Sequence, residues 1–271
     1  MHISELAIHP LKSARRVLVP ELRLGALGPE SDRRWMLVDA QGCFVTQRTH
    51  PRLCLLSALP EPSGLRLSAE GMSDLVVPVP AHADFLRVTV WDDAVMASPA
   101  SAEADRWCSA FLGLSVRLVY MPAEVLRAVD PRYAGQGHRT AFSDGFPLLL
   151  VTQSSLDHLN RLLKEEGVPT VDWGRFRPNI VVEGDIPPHA EDGWQRLRIG
   201  ETELMLVKPC SRCVIPSIDP VTAVKDGRIL TILRRYRGRE DGRIYLGQNV
   251  VVAAAPAGSR LKLGDKVQVL R

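Results

Sequence analysis

Short runs of strand-forming residues, separated by Gly, Pro and Asp, occupy most of this 271-residue chain and predict a mostly β fold. Apolar side chains at helical spacing occur at 101–112, where Ser101 can cap a helix and Gly113 can end it. A second helical pattern follows Thr152 and ends at Gly167. We therefore predict an α+β chain that is mostly β with a few helices. The strand-like runs lie at 16–24, 35–39, 53–58, 64–68, 86–91, 178–183, 196–199, 203–207, 243–252 and 267–270.

The composition excludes several classes of protein. Hydrophobic residues at 45% and charged residues at 24% are ordinary globular values. No apolar run reaches the length of a membrane span, and the N-terminus lacks the pattern of an export signal, so we expect a cytoplasmic protein with no membrane span. A net charge of +3 without a base-reading motif argues against a nucleic-acid partner.

A domain boundary is predicted near residue 115, after the first helix, which divides the chain into 1–115 and 116–271. Neither part shows an internal repeat or a low-complexity tract. A loop is predicted at 130–144, where Gly135 and Gly137 interrupt all periodicity. Loops of this length often carry function.

The sharpest local motif is Cys-Ser-Arg-Cys at 210–213. Five cysteines in a chain of this length argue against a disulfide framework. A zinc site would need a second ligand pair, and a thioredoxin-like site would need a helix after its cysteines, so both fit poorly. Lys208 and Arg212 favour the thiolate, the form that ligates soft metals or attacks electrophiles. Two buried structural cysteines are the alternative.

A second motif is Arg-Pro-Asn at 177–179, before an apolar strand. Arg177 and Asn179 lie on one side of an extended segment and offer a charged fork and an amide, which suit a heterocycle that carries a phosphate. The alternative is that Arg177 to Asn179 form only the turn that leads into the strand and bind no ligand. Three further segments are compatible with phosphate or with close backbone approach, although each also fits a strand end or a bulge: 10–13 (PLKS), 32–35 (DRRW) and 246–249 (LGQN).

In chain order these motifs resemble the MOSC family, which is named for the C-terminal domain of molybdenum cofactor sulfurase. The resemblance is to its two-part members with a MOSC N-terminal β-barrel domain, a group that includes the mitochondrial amidoxime-reducing component and its bacterial counterparts. It covers nearly the whole chain. The segments that carry it are PLKS, DRRW, WCSAFLG, SDGFPLLLVTQSSLDHLN, RFRPNIVV, AEDGW, CSRC, LGQN and GDKVQV.

The resemblance implies a β-barrel MOSC domain with a smaller N-terminal β-rich domain, and a bound molybdenum cofactor. It implies that Cys213 is the protein ligand to the metal and the catalytic residue. The residues that it implies for the pterin and its phosphate are Lys12, Ser13, Arg33, Gly145, Phe146, Arg177, Asn179, Ser211, Arg212 and Asn249, of which Gly145 and Phe146 supply mostly backbone contacts.

The implied activity is reduction of N-hydroxylated compounds, namely hydroxylamines, amidoximes and N-hydroxylated bases, to amines. The chain has no flavin, haem or iron–sulfur motif, so electrons are expected from a separate carrier of ferredoxin, flavodoxin or cytochrome type with its reductase. We expect an acidic carrier to dock near the basic run 234–239, although such a run also fits a solvated face. Asp192 is a candidate proton donor or a turn residue. Two alternative functions stay open. The chain could carry the cofactor without turnover, or it could carry sulfur as a persulfide on Cys213 or Cys210.

Overall fold

The computed structural model describes residues 1–81 and 84–270. Its architecture confirms the predicted fold class, mostly β with a few helices. In the described ranges the helices are α1 (Ala102–Leu112), α2 (Pro131–Ala134), α3 (Gln153–Glu165) and α4 (Arg228–Arg237). The strands are β1 (His2–Ile8), β2 (Val17–Leu18), β3 (Glu21–Gly25), β4 (Gly28–Pro29), β5 (Trp35–Val38), β6 (Ser57–Glu61), β7 (Gly64–Ser68), β8 (Leu75–Pro78), β9 (Leu86–Val90), β10 (Asp93–Pro99), β11 (Arg117–Tyr120), β12 (Leu148–Thr152), β13 (Ile180–Glu183), β14 (Arg196–Ile199), β15 (Thr202–Arg212), β16 (Ile244–Ala254), β17 (Arg260–Lys262) and β18 (Val267–Leu270).

The two predicted helices form where the sequence places them. The Ser101 hydroxyl accepts a hydrogen bond from the Ala104 amide at the start of α1, and Gly113 ends that helix in the left-handed conformation. Helix α3 begins directly after Thr152 and buries Leu156, Leu159 and Leu163. Both helices therefore follow from local capping and periodicity.

The largest sheet has the strand order β18-β14-β15-β16-β12-β13-β1-β2. Its two ends meet, because the Ile3 amide donates to the Asp265 carbonyl at 3.0 Å and the Val267 amide donates to the Met1 carbonyl at 3.1 Å. These bonds close the sheet into a barrel with an apolar interior. Strands β12 and β13 are parallel, and α3 makes the crossover between them.

The N-terminal part of the chain supplies smaller sheets, which are β5-β11-β10-β9 and β6-β7-β8. Helix α1 packs with them around a core that includes Trp35, Leu65 and Phe111. The strand predicted at 53–58 is wrong in its first half: Pro51–Leu55 is a 3-10 helix, because Pro51 begins a tight turn that buries Leu53 and Cys54.

The strand β1 belongs to the large barrel although it lies at the N-terminus. It pairs with β13 in antiparallel fashion, with Leu6 opposite Ile180. After β1 the chain continues towards β5. The turn after β1 therefore lies at the end of the barrel, close to the entry to β13. The boundary near residue 115 stays a prediction.

Candidate functional site

One cleft gathers the metal-ligand and cofactor-binding residues that the sequence analysis predicted. Cys213 and all ten predicted cofactor-binding residues line it. The segments that build the cleft are the turn after β1, the residues on either side of β5, the loop before β12, the entry to β13, the end of β15 and part of β16. The space in the cleft is about 750 Å³ with the open mouth included.

The floor of the cleft is a hydrogen-bond network around Asn179, whose side chain is 1% exposed. Its amide oxygen accepts from the Leu149 amide at 3.1 Å and from Arg33 Nη1 at 3.0 Å. Its amide nitrogen donates to the Ala7 carbonyl at 3.1 Å and to Asp32 Oδ1 at 3.2 Å. Asn179 thus joins β1, β12 and the Arg33 turn and fixes the direction of that arginine.

Three residues on the cleft wall have a positive φ, which is uncommon for residues other than glycine. They are Ser13 at 70°, Arg33 at 47° and Arg177 at 59°. Each such residue costs of the order of 1–3 kcal/mol, and outliers of this kind cluster at ligand sites. The turn at Arg177 is held by a further hydrogen bond, in which Arg177 Nη1 donates to the Ala14 carbonyl at 2.6 Å.

The Cys-Ser-Arg-Cys motif lies at the end of β15. Arg212 Nη2 donates to the Phe176 carbonyl at 2.6 Å, and Arg212 Nη1 lies 3.0 Å from Cys210 Sγ. Cys213 follows the strand, is a free thiol and is exposed to the cleft. The two thiols are therefore not two buried structural cysteines.

The cleft has a strongly positive lining. Burial lowers the pKa of Arg177 to about 9, and the neighbouring Arg33 adds to that shift. Burial also lowers the pKa of Lys12 to about 8, although its ammonium lies 2.6 Å from Asp144 Oδ1 and donates to the Phe142 carbonyl at 2.7 Å. Cations whose charge is disfavoured by burial and by like neighbours are expected to bind an anion.

Two lining residues, Arg48 and Asp144, escaped the sequence analysis. Asp144 accepts from Lys12 and, at 2.6 Å, from Arg48 Nη2. Burial opposes ionisation of Asp144, but Lys12 and Arg48 hold its pKa well below the usual range. Arg48 also lies beside the Cys213 thiol, which interacts with it electrostatically. Asp144 lies beside the predicted Gly145 and could have been found there, whereas nothing in the local sequence marks Arg48.

The segment 141–144 is held in place from behind by Arg127, whose side chain is 3% exposed. Arg127 Nη1 donates to the Ala141 carbonyl at 2.7 Å and also to the Ser143 carbonyl, while Nε donates to Asp93. The loop predicted at 130–144 contains the short helix α2 and then leads into the cleft wall.

Two sequence-based interpretations do not reach the cleft. Asp192 accepts from Arg237 at 2.6 Å and from Gln248 at 2.8 Å and is absent from the described cleft lining, so its role is to tie α4 to β16. In the basic run 234–239, Arg235 pairs with Glu166 and Arg234 donates to the Gly242 carbonyl, while both residues stay exposed. Most of its residues belong to α4.

Family models match both parts of the chain. The MOSC N-terminal beta barrel domain matches residues 1–115, and the MOSC domain matches residues 137–268. Mitochondrial amidoxime-reducing component 1 of Mus musculus is 34% identical over 247 residues, which is 87% of this chain and 71% of the mouse protein. The chain belongs to the MOSC family. The resemblance inferred from the motifs is thereby confirmed.

Further relatives of this MOSC protein carry similar names. Mitochondrial amidoxime-reducing component 1 of Homo sapiens is 33% identical over 99% of this chain and 82% of the human protein. Among solved structures, the YUAD protein of Bacillus subtilis covers 98% of this chain and 93% of its own at 10% identity, with a TM-score of 0.42. A score of this size does not show a shared fold.

The expected cytoplasmic location of the MOSC protein is wrong by this comparison, because its mouse and human relatives are named as mitochondrial components. Within residues 1–81 and 84–270, no helix combines the length and the apolar character that crossing a membrane requires.

Proposed function

We propose that this MOSC protein binds the molybdenum cofactor in the cleft and reduces N-hydroxylated compounds, namely hydroxylamines, amidoximes and N-hydroxylated bases, to amines. The observation that carries the proposal is the exposed thiol of Cys213 in a cleft lined by cations. A thiolate is a soft metal ligand, and arginine forks bind phosphate. The names of the mouse and human relatives, amidoxime-reducing components, supply the reaction class.

The residues present fit a ligand of this kind. Lys12, Arg33, Arg48, Arg177 and Arg212 line the cleft, and Asp144 is the carboxylate among the described lining residues. The Nε atoms of Arg48 and Arg212 are buried without a hydrogen-bond partner, so they are free to donate to an anion.

The backbone at Gly145 is also open. A Cβ atom built there meets nothing within 4 Å, which leaves room for a flat ring against the main chain. The neighbouring Phe146 lies in the same wall of the cleft. This agrees with the expected backbone contacts of these two residues to a pterin.

The proposed roles follow from these positions. Cys213 completes the sulfur ligation of the metal, Arg33 and Arg177 bind the phosphate from the β13 side, and Lys12 binds it from the turn after β1. Ser13, Asn179, Ser211, Arg212 and Asn249 position the pterin. When bound, the cofactor supplies two-electron redox chemistry that no side chain can supply.

The net reaction for an amidoxime breaks the N–O bond. The substrate takes up two electrons and two protons, the amidine is the product and the hydroxyl oxygen leaves as water. The electrons come from a separate carrier of ferredoxin, flavodoxin or cytochrome type with its reductase. The docking of an acidic carrier near residues 234–239 stays a prediction, because Arg234, Arg235 and Arg239 are exposed there.

The pH dependence of anion binding tests the proposed phosphate site. An anion binds best when Lys12 and Arg177 are protonated, and in the free protein they lose protons above about 8 and about 9. Sulfate, a dianion at all these pH values, should therefore bind constantly near neutral pH and lose affinity about tenfold per pH unit above pH 8. Titration calorimetry of the cofactor-free chain measures this.

The variant Lys12→Arg is the matched control, because it keeps the charge at higher pH. It should move the onset of the sulfate affinity loss from about 8 towards 9. A sulfate affinity that stays constant throughout this pH range in the native chain would contradict the assignment.

The activity itself is tested with benzamidoxime and a chemical electron donor such as reduced methyl viologen. Protein purified from a host that makes the cofactor should form benzamidine, and protein from a host that cannot make it should not. Bound molybdenum without turnover of benzamidoxime or a hydroxylaminopurine would refute the reductase and favour a cofactor carrier. A persulfide carrier would show one added sulfur atom on Cys213 or Cys210 by mass spectrometry.

A further inference from the structure

The hairpin between β9 and β10 carries an exposed tryptophan at its tip. Val90 pairs with Asp93, so Trp91 and Asp92 form a two-residue turn. Trp91 has a φ of 56° and 44% of its surface is exposed. The turn itself favours Asn or Gly at positive φ, and a bulky residue there is an outlier. The fold of the hairpin therefore does not explain this tryptophan.

The contacts of Trp91 lead directly to the cleft. The Arg48 guanidinium carbon lies 4.5 Å from the indole ring centroid, and the Phe44 ring lies 5.2 Å away at an angle of 57°. The indole also lies beside the Asp144 carboxylate, whose pKa it helps to lower. Arg48 and Asp144 both line the cleft, so Trp91 lies next to the cleft wall.

The same arginine connects Trp91 to Cys213. Arg48 packs on the indole and lies beside the Cys213 thiol, which interacts with it electrostatically. Arg48 and Cys213 line the same cleft, so a substrate bound beside Cys213 shares a wall with the side chain that supports the indole. An indole face and a guanidinium plane both favour flat π-systems.

We propose that Trp91, supported by Arg48 and Phe44, forms a subsite that stacks the ring of aromatic and heteroaromatic N-hydroxylated substrates and selects them over aliphatic ones. This inference rests on the proposed reductase function and names its substrate class. We call Trp91, Arg48 and Phe44 the aromatic subsite. Trp91 is a specificity residue there, and the chemistry at the N–O bond does not depend on it.

The test compares benzamidoxime with acetamidoxime, which has the same reacting group but no ring. In Trp91→Asn the turn is kept, because asparagine tolerates positive φ, and the ring is lost. This variant should lower kcat/KM for benzamidoxime about tenfold, mainly through KM, and leave acetamidoxime within about twofold. Trp91→Phe, which keeps a smaller ring, should retain most of the benzamidoxime activity. Equal losses for the two substrates, or no loss for either, would overturn the subsite.

A binding measurement separates this inference from the proposed function. Benzamide, a neutral ring compound without an N–O bond, should bind the native chain in ligand-observed NMR and bind Trp91→Asn more weakly. If the native protein reduces neither amidoxime, the reductase proposal fails and this measurement still decides the subsite. Equal benzamide binding by the two proteins would overturn the subsite even if both amidoximes are reduced.

Discussion

Replacing Cys213 with serine is expected to lower benzamidoxime reduction by more than about 100-fold while the fold is unchanged. Loss of a residue that only supports a metal ligand typically costs about 10–100-fold, so loss of the ligand itself should exceed this range. Cys213 is exposed and lies beyond the end of β15, so the substitution removes no core packing. Steady-state assays with a chemical electron donor measure the effect, and circular dichroism checks the fold.

Two other cysteines provide matched controls. Cys43 is an exposed free thiol outside the cleft lining, so Cys43→Ser should retain native activity. Cys210 lines the cleft beside Arg212, so Cys210→Ser tests which thiol of the motif is the ligand. If Cys210→Ser abolished turnover and Cys213→Ser did not, the assignment of the ligand would be reversed.

The second large effect concerns stability. Asn179→Leu should lower the free energy of unfolding by about 4 kcal/mol, because it removes four hydrogen bonds of a buried side chain, two of them to the charged groups Asp32 and Arg33. Urea denaturation followed by circular dichroism measures the loss. The cleft floor should lose its geometry with it, so anion binding should fall in the same variant.

Asn160→Leu is the control for that experiment. Asn160 makes two hydrogen bonds to the Val171 backbone near the surface, at 2.8 and 2.9 Å. Its replacement should cost about 1–2 kcal/mol, clearly less than that of Asn179. Equal losses for the two variants would contradict the central position that we give to the Asn179 network.

Local sequence signals account for part of the fold. Ser101 and Gly113 predict α1, and the leucine spacing after Thr152 predicts α3. Helix α4 was missed because its arginines suggested a charged surface run. Its buried residues Ile229, Ile232 and Leu233 have helical spacing and could have revealed it.

The motifs predicted the residues of the site. They could not predict how the fold brings these residues together. Arg33 and Asn179 lie 146 positions apart, yet they share a hydrogen bond. Arg48 and Trp91 carry no motif, and they come together only because the β9–β10 hairpin folds over the segment after β5. Such tertiary contacts depend on sheet pairing across the whole chain, which periodicity does not encode.

The closure of the barrel is a further feature that local patterns do not show. β1 pairs with β13, and Ile3 hydrogen-bonds to Asp265 near the other end of the chain. The turn after β1 is thereby fixed at the end of the barrel, which is where Lys12 and Ser13 reach the cleft.

The most direct test of the central claim is the molybdenum content of the native protein, measured by elemental mass spectrometry after purification from a host that makes the cofactor. The account predicts about one equivalent of molybdenum per chain, since Cys213 and the cationic cleft around it form a single site. A folded native protein without molybdenum would contradict it and would also refute the cofactor-carrier alternative.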